Sequence, residues 1–160
     1  IGGNYAASLK SQEKAHDMGY SQVLWLDGVE RKYVEEIGTS NAFFVIDGEV
    51  ITAPLAGTIL PGITRDSVIS LLKSWGVKVN ERKMAIDEIY AAYDAGKLEE
   101  VFASGTAAVI SPVGELCWES RKILINEGRI GKISQRLYDE LSALQNGDVE
   151  DTRGWVKQVK

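Results

Sequence analysis

Three short turns in this sequence set glycine close to threonine: Gly38-Thr39 in "EEIGTSN", Gly62-Ile63-Thr64 in "LPGITR" and Gly105-Thr106 in "SGTAAV". Each offers backbone N–H groups that no bulky side chain shields, together with a hydroxyl. Such groups bind anions. The second turn heads an apolar-periodic run, where the free N–H groups of a helix start and its dipole both favour negative charge. Beside the first turn stand two carboxylates, Glu35 and Glu36. In a strand these face opposite sides, so at most one points into any one site.

Each motif taken singly also has an ordinary structural use. Thr64 is a candidate cap for its helix. Glu35 and Glu36 can be a solvated edge pair. Arg65, next to the second turn, suits either a phosphate or a salt bridge. Tyr5 reads as a half-buried aromatic whose hydroxyl reaches a backbone carbonyl. His16 is the only histidine and Cys117 the only cysteine, so neither a metal centre nor an internal disulfide is expected. Cys117 beside Trp118 reads as a packed thiol. No nucleophile elbow, zinc spacing, Walker loop or dinucleotide fingerprint occurs.

The turns need elements to hold them. Residues 4–18 carry helical spacing that Gly19 stops. "SQVLWLDG" reads as a buried strand ending in an Asp-Gly turn, and "NAFFVIDGEVITAP" as a hairpin closed by Asp47-Gly48. A helix is expected after "PGITR" up to Gly76, followed by a strand in "VKVNERK" and a short helix in "AIDEIYAAYDAG". "EVFASGTAAVISPVGEL" places its turn between two strands. "ILINEG" is predicted to be a short strand, 130–146 a last helix, and "DTRGWVKQVK" a loosely packed tail. The order lacks strict βαβ alternation. The expected fold is α/β with a mixed, largely antiparallel sheet, in one domain over residues 1–160.

The chain carries a net charge of −5, which argues against a polyanion-binding surface and so against a nucleic-acid partner. No apolar stretch is long enough to cross a bilayer. The single cysteine points to a reducing, cytoplasmic setting.

Five segments in order, "GGNYAASLKSQEKAHDMGYSQVLWLDG", "YVEEIGTSNAFFV", "LAGTILPGITRDSVISL", "VNERK" and "SGTAAVISPVGEL", resemble the C-terminal half of a branched-chain amino acid aminotransferase. That family belongs to the fold type IV pyridoxal-phosphate enzymes. The resemblance implies the large C-terminal domain of the D-amino acid aminotransferase-like fold. It implies pyridoxal 5'-phosphate as cofactor, branched-chain amino acids and 2-oxo acids as substrates, and a homodimer. D-amino acid aminotransferases and aminodeoxychorismate lyases share the fold and stand as alternatives; so does a truncated, non-catalytic domain.

The resemblance also assigns roles. Tyr5 would bond the cofactor's phenolic oxygen, and Glu36 would face its pyridine nitrogen. Leu60 would pack on the ring. The N–H groups of Ile63 and Thr64, the Thr64 hydroxyl and Thr106 would hold the phosphate. The N–H groups of Thr106 and Ala107 would face the substrate's α-carboxylate. The family's Schiff-base lysine lies five residues before this tyrosine, so it would immediately precede Ile1. The expectation is therefore a cofactor-binding domain without its catalytic lysine or the small N-terminal domain, inactive by itself. Ala108 and Ser111 occupy the places where some members carry a CxxC pair, so no thiol switch is expected.

Overall fold

The strand Ser40–Ile46 (β3) is almost entirely buried, with Phe43 and Val45 fully enclosed and Phe44 nearly so. An apolar run without polar alternation is what a strand covered on both faces requires. The computed structural model describes the backbone of residues 3–157 and the side chains of residues 6–157. Around β3 it assembles a helix, Gly3–Asp17 (α1), and the strands Leu24–Leu26 (β1), Val34–Ile37 (β2) and Glu49–Thr52 (β4). The helix Ile63–Ser74 (α2), the strand Lys78–Glu81 (β5) and the helix Ile86–Asp94 (α3) follow. Leu98–Gly105 (β6), Val109–Pro112 (β7), Glu115–Trp118 (β8), Arg121–Leu124 (β9) and the helix Lys132–Asn146 (α4) complete the order.

β3 pairs along one edge with β6, and β6 with β7. Its other edge is shared: β2 takes residues 40–41 and β4 takes 43–46. β1 extends β2, and β5 lies beside β4 as the parallel pair in an otherwise antiparallel sheet. The mixed, largely antiparallel α/β fold expected from the sequence is therefore present. At the fork the Thr52 hydroxyl donates to the Ala42 carbonyl at 2.7 Å, which ties β4 to β3 where β2 leaves.

Two cores form on the two faces. On one, Phe43, Val45 and Phe102 pack under α2 and α4 through Val68, Leu71, Leu72, Leu137 and Leu141. The Phe43 and Phe102 rings stack with centroids 5.0 Å apart. On the other, Ala42, Phe44, Val101 and Ala103 pack under α3 and the β8–β9 hairpin through Ile89, Tyr90, Leu116 and Ile123. The alternation of β3 thus feeds two layers at once.

One expectation about the elements needs correction. The strand expected over "ILINEG" ends at Leu124, because Asn126 and Glu127 take left-handed φ values of 47° and 55° that no strand accommodates. The strand is instead Arg121–Leu124, paired with β8. The tail packs loosely, as expected: residues 152–157 are exposed, and Arg153 reaches α2 by donating to the hydroxyls of Ser70 at 3.2 Å and Ser74 at 2.8 Å.

Candidate active site

The three glycine-containing turns meet at one end of the sheet. β2 turns into β3 at Gly38-Thr39, and β6 turns into β7 at Thr106–Ala108. Because Asn41 pairs with Ser104 across the β3–β6 ladder, these two turns lie side by side. A Cβ on Gly105 would come within 2.7 Å of the Ser40 hydroxyl, so the two turns approach closely here and a larger residue would make Ser40 turn aside. The third turn arrives from the α2 face. A Cβ on Gly62 would collide with Asn41 Oδ1, so the start of α2 rests directly on β3. At Gly62 and Gly105 the constraint is thus close approach, since neither has a positive φ.

Between these turns and the 19–24 segment lies a cleft of about 790 Å³. Leu24, Ile37, Ala103 and Leu116 form its apolar wall; Leu60, Thr106 and Ala107 stand at its mouth. Leu60 is 62 % exposed and Ile63 83 %, which is unusual for large apolar side chains flanking a concave surface. Ile63 and Thr64 do not line this cleft. They lie just beyond Leu60, in the first turn of α2. Tyr5 falls outside the described side chains.

Thr64 is not the cap of α2. Gly62 occupies the N-cap in extended backbone (φ −66°, ψ 135°) and makes no side-chain cap bond. Glycine supplies no cap oxygen, so the leading donors of a 12-residue helix remain available. Among the described residues, no backbone carbonyl accepts from Thr106 or Ala107 N–H. Their turn is closed by Val109 at φ 57°, a strained conformation for a β-branched residue. The Ser104 hydroxyl, 1 % exposed, finds no partner among the described residues. Ser104 does not line the cleft; the exposed amide donors of the Thr106–Ala107 turn and of the start of α2, with their two glycine-lined approaches, suit a phosphate-sized anion.

Glu36 adds a carboxylate to this cluster. Its Oε1 accepts from Asn41 Nδ2 at 3.1 Å and from the Leu60 N–H at 3.3 Å. Burial pushes its pKa above the ordinary carboxylate value; the Leu60 N–H opposes that rise, and the neighbouring charge of Glu35 adds to it. The two carboxylates do not part as strict strand alternation predicts. Glu35 accepts from the Thr58 hydroxyl at 2.6 Å, so both hold the segment 58–60. The reason is local: Val34 and Ile37, three apart, bury in the same core, and the register with β1 slips between Leu24 and Leu26. Arg65 is not an anion ligand. It is 3 % exposed and donates to Glu81 at 2.9 Å and to the Ala53 carbonyl at 2.8 Å. His16 is exposed, and no group of three or more potential metal ligands occurs among the described residues.

Sequence reasoning gave no role to Asn41, Ser40 or Ser104. A signal for Asn41 was present: it is the lone amide opening an otherwise apolar strand.

The model of the amino-transferase class IV family matches residues 2–116. This chain belongs to that family. Among curated class IV relatives, "Branched-chain-amino-acid aminotransferase 2" of Bacillus subtilis (strain 168) is 57% identical over 98% of the chain. "Probable branched-chain-amino-acid aminotransferase" of Staphylococcus aureus (strain N315) is 58% identical over 97%. The chain spans 43% of the length of each of these relatives. Among solved structures, the branched-chain amino acid aminotransferase of Escherichia coli superposes with a TM-score of 0.84 at 37% identity, over 99% of this chain and 48% of that one. The T.th. branched-chain amino acid aminotransferase, solved with pyridoxamine 5'-phosphate, matches with a TM-score of 0.81 at 33% identity, over 98% of this chain and 48% of that one. The fold expected from the resemblance is therefore the family's own.

Proposed function

We propose that residues 1–160 form the cofactor-holding domain of a branched-chain amino acid aminotransferase that uses pyridoxal 5'-phosphate. The enzyme exchanges amino groups between leucine, isoleucine or valine and 2-oxoglutarate. The observation that carries this reading is the convergence of Glu36, the start of α2 and the Gly105-Thr106 turn on one end of the sheet. The names of relatives at 57% and 58% identity support the same substrate class. A cytoplasmic homodimer completes the reading. No helix among the described residues is long and apolar enough to cross a membrane.

Each residue has a task in that reaction. The N–H groups of Ile63 and Thr64, with the Thr64 and Thr106 hydroxyls, neutralise the phosphate by donated hydrogen bonds and the α2 dipole. Leu60 packs on one face of the ring and excludes water. Glu36 accepts a hydrogen bond from the ring nitrogen and holds a proton there. The N–H groups of Thr106 and Ala107 orient the substrate's α-carboxylate. When bound, pyridoxal 5'-phosphate supplies the electron sink for proton removal at the amino acid's α-carbon.

The test uses the protein as its gene encodes it. Calorimetry is expected to show pyridoxamine 5'-phosphate binding well above inorganic phosphate. An assay is expected to show amino transfer from the branched-chain amino acids to 2-oxoglutarate. Transfer from D-alanine, or release of pyruvate from aminodeoxychorismate, without branched-chain activity would replace this reading by one of its fold relatives.

A further inference from the structure

Asn41 occupies the one position that touches both ends of the site. It is 5 % exposed, and both N–H groups of its amide are used. One goes to Glu36 Oε1 at 3.1 Å and the other to the Leu60 carbonyl at 2.9 Å. The Leu60 N–H returns to the same Glu36 oxygen at 3.3 Å, which closes a circuit through Glu36, Asn41 and Leu60. On its other side, Asn41 Oδ1 fills the space where a Cβ on Gly62 would sit. Gly62 in turn is the N-cap of α2. Asn41 therefore links the carboxylate of the strand β2 to the N-cap of the helix α2.

We propose that Asn41 is a positioning residue that makes Glu36 and the start of α2 one rigid unit, holding the carboxylate and the phosphate cup in a fixed relation to each other. This rests on the reading of the site given above. The chemistry favours an amide over other side chains here. Its two N–H donors are neutral and in a fixed plane, so they orient the carboxylate without transferring a proton to it. An aspartate would offer no donor and would set a like charge against Glu36. A serine has one donor and cannot serve both acceptors.

A ligand that reaches both ends gains from their fixed separation; a ligand that touches one end does not. The experiment compares three probes in the gene-encoded protein by calorimetry: pyridoxamine 5'-phosphate, pyridoxamine and inorganic phosphate. In Asn41→Ala, and in Asn41→Ser as the milder variant, binding of pyridoxamine 5'-phosphate is expected to weaken about tenfold or more, while each single-ended probe changes less than about twofold. Equal weakening of all three probes, or of none, overturns the proposal. A readout on the unmutated protein needs no variant. The side-chain amide resonance of Asn41 should shift both with pyridoxamine and with inorganic phosphate; silence to either probe overturns the proposal. Unmutated protein that binds pyridoxamine 5'-phosphate no better than inorganic phosphate defeats the functional reading and this inference together. Tight binding that the variants leave untouched defeats the inference alone.

Discussion

Gly131 gives up its side chain to Glu100. A Cβ at residue 131 would collide with the Glu100 carboxyl group, which is held by the N–H groups of Ile133 and Ser134 at 2.9 Å each and by the Ser134 hydroxyl at 2.6 Å. Glu100 lies on β6 and is 8 % exposed, so a sheet residue caps α4 from outside the helix. Gly131→Ala is expected to push the carboxylate off these donors and cost on the order of 3 kcal/mol. Glu100→Gln keeps the shape but loses the charge and one acceptor, for about 1–2 kcal/mol. Urea unfolding of both variants checks the order of the two effects.

Arg65 anchors the far side of α2. Its guanidinium is buried against Glu81, whose side chain is 38 % exposed, and against the Ala53 carbonyl. Arg65→Ala removes both bonds from a closed site and is expected to cost about 2–3 kcal/mol. Glu81→Gln, on the solvated side of the pair, is expected to cost about 1 kcal/mol or less. Its affinity for inorganic phosphate should stay within about twofold of the unmutated protein, because the pair acts on α2 and not on the anion. Thermal melts and phosphate calorimetry of the same sample separate the two effects.

Most elements were legible because their signals are local. The Asp47-Gly48 turn takes φ values of 53° and 75°, the mirror-image hairpin geometry that this dipeptide favours. Gly147, left-handed at φ 77°, closes α4 as its position after the periodic run predicts. The β8–β9 hairpin was not legible, because Glu119 and Ser120 adopt φ 48° and 67° without a glycine or asparagine between the strands. The site was legible as three separate turns. Their meeting depends on the register of β3 with β6, and on a bulge in β2 that defeats simple alternation. Neither is encoded within one short window. The misplaced cap has a similar cause: Thr64 looks like a cap in sequence, but the backbone enters the helix two residues earlier, at Gly62.

Asp27 ties the loop after β1 into a knot. Its carboxylate accepts from the N–H groups of Glu30 at 2.6 Å, Lys32 at 2.9 Å and Tyr33 at 2.8 Å. These donors, Tyr33 foremost and then Lys32, hold the carboxyl far below the usual carboxylate range. A carboxyl with a depressed folded pKa contributes stability above its unfolded value, and that contribution is lost as pH falls below about 4. The unmutated protein should therefore lose thermal stability steeply between about pH 4 and 2, and Asp27→Asn should show a flatter curve from a lower starting point. Parallel curves for the two proteins over that range would refute the assignment.

Glu36 behaves in the opposite sense. Burial raises its pKa in the folded chain, so the folded state binds its proton more tightly than the unfolded state does. The stability this lends is complete below the unfolded value and is lost as pH rises through the raised one. Glu36→Gln keeps a carbonyl to accept from Asn41 and Leu60 but cannot ionise. Without cofactor, the variant should gain in melting temperature relative to the unmutated protein between about pH 4 and pH 7. Pyridoxamine 5'-phosphate should reverse that order, because a protonated ring nitrogen gives the carboxylate the cation it lacks among the described ion pairs. A relative gain that grows with pH in the free protein and vanishes when the ligand saturates the site would establish Glu36 as the residue facing the ring nitrogen. A gain that persists unchanged with ligand bound would place that nitrogen elsewhere.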